Sequence, residues 1–72
     1  MDKNSTLWCK SRIDFDGRNA WLHKIITPIG DIWVVQYENK GLEIQTPLMT
    51  YDEGKAWVKY ERIVNGLMNG KL

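Results

Sequence analysis

His23 and Cys9 are the single histidine and the single cysteine of this 72-residue chain, and any side-chain chemistry would begin with them. An imidazole acts as a general base when a hydroxyl or thiol nucleophile lies within hydrogen-bond reach. No serine or cysteine here has a sequence context that suggests pairing with His23. One cysteine excludes an intrachain disulfide, and one cysteine with one histidine excludes a Cys/His zinc cage. Asp14-Phe15-Asp16-Gly17 has the opening spacing of a calcium loop, but the third oxygen ligand and the closing glutamate are missing. It reads instead as a hairpin turn. The six glycines fall at turns, in the first helical turn or at the helix exit, and form no phosphate-binding loop. The residues therefore predict no catalytic site, no metal site and no cofactor.

A second chemistry open to these residue types is stacking. Aromatic rings on an open sheet stack on nucleic-acid bases while nearby cations hold phosphates. Trp8, Trp21, Lys10, Arg12, His23 and Lys24 are the residues for such a platform. The formal charge of +1, from ten Lys/Arg against nine Asp/Glu, lacks the basic excess usual in dedicated nucleic-acid binders. It also argues against an acidic DNA mimic. Tryptophan, tyrosine and arginine are equally the types that dominate protein-binding hot spots.

These side chains need elements to hold them, and the chain is short. A domain of this size buries only about 60% of the surface its unfolded chain exposes, so a dense core or a partner subunit is needed. No apolar run approaches the roughly 18 residues of a membrane span. The polar start, with no apolar stretch behind it, predicts no signal peptide. With a free cysteine, this points to a soluble cytoplasmic chain. The first five or six residues are expected to fray, leaving residues 7–72 as one domain.

From Leu7 the pattern alternates, as in a half-buried strand. Leu7, Cys9, Ile13 and Phe15 fall on one side, with Trp8, Lys10, Arg12 and Asp14 on the other. Asp16-Gly17 supplies a tight turn, and a second strand follows over about 20–29. Gly30-Asp31 reads as a two-residue turn, leading to a third strand over 32–37. Asn39-Lys40-Gly41 turns into a short strand over 42–46, which Pro47 ends. Thr50 and Glu53 have the spacing of a capping box at a helix start. Ala56, Trp57, Tyr60, Ile63, Val64 and Leu67 form its apolar stripe. Gly54 in its first turn costs about 1 kcal/mol relative to alanine. Asn65-Gly66 and Asn69-Gly70 are both plausible exits. The expected fold is α+β, a four-stranded antiparallel meander followed by one C-terminal helix on one face.

One helix covers one face of a sheet, yet the central hairpin is apolar on both. If Ile29 and Ile32 pair, one face carries Trp21, His23, Ile25, Ile29, Ile32 and Val34. The other carries Ala20, Leu22, Ile26, Trp33, Val35 and Tyr37. The helix is assigned to the second, joined by Leu7, Cys9, Ile13 and Phe15 from the first strand and by Leu42 and Ile44 from the fourth. The open face then presents Trp8, Lys10, Arg12, Trp21, His23, Ile25, Ile32 and Val34, with Glu43 and Gln45. A contiguous exposed apolar patch usually marks an interaction surface, unless the N-terminal segment or the C-terminal tail folds over it. The expectation is a non-enzymatic protein-interaction module that self-associates or binds another protein. Short chains of this kind are common among phage and mobile-element accessory proteins that inhibit or redirect a host protein. The alternative is nucleic-acid binding; no membrane partner or small-molecule substrate is expected.

Overall fold

The computed structural model describes residues 6–72. It has the expected order: β1 (Thr6–Phe15), β2 (Arg18–Thr27), β3 (Gly30–Asn39), β4 (Gln45–Thr50) and α1 (Glu53–Met68). The strands form one antiparallel sheet in the order β1-β2-β3-β4. Thr6 already belongs to β1, opposite Ile26. The rest of the segment expected to fray, residues 1–5, lies outside the described residues.

Asp16 and Gly17 make the first turn, with φ of 49° and 74°, the left-handed pair that a two-residue hairpin needs. The second turn corrects the sequence reading. Pro28 and Ile29 are its central residues, Thr27 pairs with Gly30, and Ile32 lies opposite Ile25 rather than Ile29. Proline presets the backbone angle of a turn's first central residue. Thr27 reinforces the turn, since its Oγ1 accepts from the Ile29 N–H (3.3 Å) and donates to the Gly30 carbonyl (2.6 Å). Ile29 is left at the apex, 85% exposed. Because the slip is an even number of residues, every side chain of β2 and β3 keeps its expected face.

β4 also lies later than expected. Leu42 and Ile44 belong to the connection and are exposed, so they do not reach the core. Pro47 does not end the strand. Val35 faces Leu48 while Tyr37 faces Gln45, so β4 carries an extra residue across this interval. A bulge on an edge strand is where a missing N–H is tolerated.

Thr50 closes β4, and the helix cap is Asp52, whose carboxylate accepts from the Lys55 N–H (3.1 Å). Thr50 Oγ1 instead accepts from the Asp52 N–H (3.0 Å), and Glu53 takes the Trp57 indole N–H (3.2 Å). The expected capping box is therefore not formed. Of the two exits, Asn69-Gly70 is used: Lys71 N–H reaches the Gly66 carbonyl and Gly70 N–H that of Leu67, with Gly70 at φ 68°. This is the Schellman closure. Gly66 stays helical, and Leu72 folds back so closely that a Cβ there would lie 2.8 Å from it.

The helix stripe of Ala56, Tyr60, Ile63 and Leu67 packs on Ala20, Leu22, Trp33 and Val35, flanked by Ile13, Tyr37, Leu48, Trp57 and Val64. Leu22, Val35 and Leu67 are the largest fully buried side chains, each worth about 1.5–3 kcal/mol of transfer free energy. Two polar bonds tie this layer together: Ser11 Oγ donates to Tyr60 Oη (2.9 Å), and the Arg18 guanidinium donates to the Leu67 carbonyl (3.0 Å).

The uncovered sheet face as candidate functional site

Residues directly opposite one another across two strands share a face, so the pairings define the surface away from the helix. In β2 and β3, Ile25 faces Ile32, His23 faces Val34 and Trp21 faces Gln36. Met49 of β4 lies opposite Val34. Trp21, His23, Ile25, Ile32 and Val34 thus lie together on the uncovered face, as their alternation predicted. Arg12 joins them opposite Trp21, its guanidinium 6.0 Å from the indole centroid. That guanidinium also pairs with Asp14 at 3.2 Å.

β1 departs from simple alternation. Cys9 faces His23 but Ser11 faces Leu22, leaving Lys10 as the extra residue of a β-bulge. A bulge of one residue reverses which side the chain presents beyond it. Leu7 and Cys9, expected in the core, therefore lie on the uncovered face, opposite Ile25 and His23. Trp8, expected on the uncovered face, lies opposite Lys24 on the helix side, and Lys10 is the unpaired bulge residue. Lys24 sits 5.5 Å from the Trp33 ring and 3.4 Å from the Asp31 carboxylate. The nucleic-acid platform is consequently divided between two faces. Glu43, assigned to the open face with Gln45, lies before β4; Gln45 pairs with Tyr37, whose ring packs on the core.

Leu7, Cys9 and Met49 are the residues that the sequence reading missed; Gln36 follows Ile32 and Val34 by simple alternation. Leu7, His23, Ile25, Val34, Gln36, Thr46 and Met49 line a shallow concavity of about 270 Å³. Within it Val34 is only 5% exposed, although the one described helix packs on the other face. The C-terminal tail is directed elsewhere, with Leu72 against Gly66 and its carbonyl accepting from Asn39 Nδ2 (2.6 Å).

His23 and Cys9 are cross-strand neighbours, but the thiol donates to the Ser11 carbonyl at 3.5 Å. His23 Nδ1 is buried without a hydrogen-bond partner among the described residues. Burial lowers the His23 pKa below its ordinary 6.5, and Gln36, which favours the charged ring, offsets this only in part. The folded chain thus takes up the proton less readily than the unfolded chain. Stability is full above pH 6.5 and declines as pH falls from there through the lowered folded value. The thermal midpoint should therefore drop between pH 7.5 and 5.5 more in the wild type than in His23→Gln; equal drops would refute the role of His23.

Among the described residues, no helix is long and apolar enough to cross a membrane, and no three His, Cys, Asp or Glu side chains are placed to hold a metal ion. No family model, curated protein or solved structure matches the chain.

Proposed function

We propose that this chain is a small protein-interaction module whose working surface is the uncovered sheet face. The observation that carries the reading is the concave apolar centre lined by Val34, Ile25, Leu7 and Met49, over which no described element packs. The occupant this face fits is a second copy of the chain. Apolar centres of this kind characterise homodimer interfaces. At its margin Arg12 and Asp14 neutralise one another, so this pair adds no net like-charge penalty when two copies meet. Four strands of up to ten residues present a projected area of about 600 Å², approaching the ~800 Å² per partner of a standard interface. A two-fold pairing would also shelter a fold with a small core.

A phage or mobile-element accessory chain acting on a host protein would use the same face. The loss of Trp8 and Lys24 from the stacking platform favours protein over nucleic acid as the partner. Cys9 is free and exposed on this face, which makes it a built-in reporter. Its alkylation by iodoacetamide should slow as protein concentration rises, because pairing covers it. A rate independent of concentration would contradict pairing through this face.

A further inference from the structure

On the opposite side of the sheet, the free edge of β4 and the outer flank of α1 enclose an open groove of about 500 Å³. Leu48 and Val58 supply its apolar walls, and Lys55, Lys59 and Arg62 supply cations. Positions 55, 58, 59 and 62 recur at three- and four-residue steps, so they form one stripe on the helix. The ion pairs among the described residues use Arg12, Lys24 and Lys40, and none involves these three cations. Among the described residues, Asp52 is the one carboxylate in the lining, and it already accepts from the Lys55 N–H. Among the described residues, the β4 edge beside this stripe has no further strand neighbour. The bulge around Pro47 limits regular pairing to residues 48–50.

We propose that this groove binds an extended acidic peptide segment that adds to the β4 edge. Strand addition takes its affinity from main-chain hydrogen bonds and its specificity from pockets that receive alternate side chains. Here one set of side chains would enter the Leu48/Val58 walls, with carboxylates meeting Lys55, Lys59 and Arg62. Cations beside an open edge also discourage pairing with unselected strands. They repel an identical copy, which would bring the same cations to the contact, and so select for an acidic partner. The groove lies on the helix side of the sheet, so the proposal stands independently of the uncovered face.

A random short-peptide library selected on the immobilised chain tests this. The enriched sequences should carry Asp or Glu near apolar residues in an alternating pattern. Their binding should slow hydrogen exchange of the backbone amides of residues 48–50. Lys59→Glu/Arg62→Glu should weaken a selected peptide at least tenfold and shift a fresh selection toward basic sequences. Lys55→Gln, at an exposed position, should weaken it several-fold and serves if the double variant fails to fold. No enrichment, enrichment without acidic residues, undiminished binding to these variants, or protection confined to the uncovered face would each overturn the proposal.

Discussion

Leu22→Ala is expected to remove about 3–5 kcal/mol of folding free energy, the cost of truncating a fully buried leucine that its surroundings cannot close over. Leu22 is fully buried between the helix and the sheet, in one cluster with Val35, Tyr60 and Leu67. A chain of this length has about 4–10 kcal/mol in total, so the variant loses roughly a third of its stability or more. Chemical denaturation of the two proteins measures the difference. A loss below about 1 kcal/mol, less than a buried leucine's usual transfer contribution, would mean that the helix does not pack on this face.

Trp21→Ala, one residue earlier and on the opposite face, should behave in the reverse way. No described element covers Trp21, whose ring lies 6.0 Å from the guanidinium of the exposed Arg12. Its thermal midpoint should stay within about 5 °C of the wild type, the effect of roughly 1 kcal/mol in a domain of this size. Self-association should weaken about 30-fold, because tryptophans buried at interfaces commonly contribute about 2 kcal/mol or more. Trp57, although on the helix stripe, sits at the flank of the core and packs edge-on to Tyr60. The clean contrast is therefore between Trp21 and Leu22.

The strand order, the Asp16-Gly17 turn and the two faces of the central hairpin were legible because each follows from local chemistry or from a period of two. The hairpin faces survived a misplaced turn only because the error was even. The first strand shows the opposite case. Its bulge at Lys10 carries no glycine or proline to mark it, and because Ser11, Ile13 and Phe15 face the helix in either register, the two differ only in Trp8 against Leu7 and Cys9. Composition does not distinguish the two registers; the tertiary fit of Ser11 to Tyr60 Oη accompanies the one adopted. Pro47 reads as a terminator because proline blocks a ladder bond, whereas an edge strand with a bulge accommodates it. Thr50 and Asp52 both have N-cap chemistry, and Thr50 is committed to pairing with Trp33. The candidate face was thus visible in its β2 and β3 residues, while its β1 and β4 contributions depended on bulges.

Sedimentation equilibrium of the wild type and Trp21→Ala, from low to high micromolar concentration at neutral pH, tests the central claim most directly. The uncovered face predicts a reversible monomer–dimer equilibrium in the wild type that Trp21→Ala moves toward monomer while the chain remains folded. A wild type that stays monomeric throughout, or a dimer that Trp21→Ala leaves intact, would contradict it.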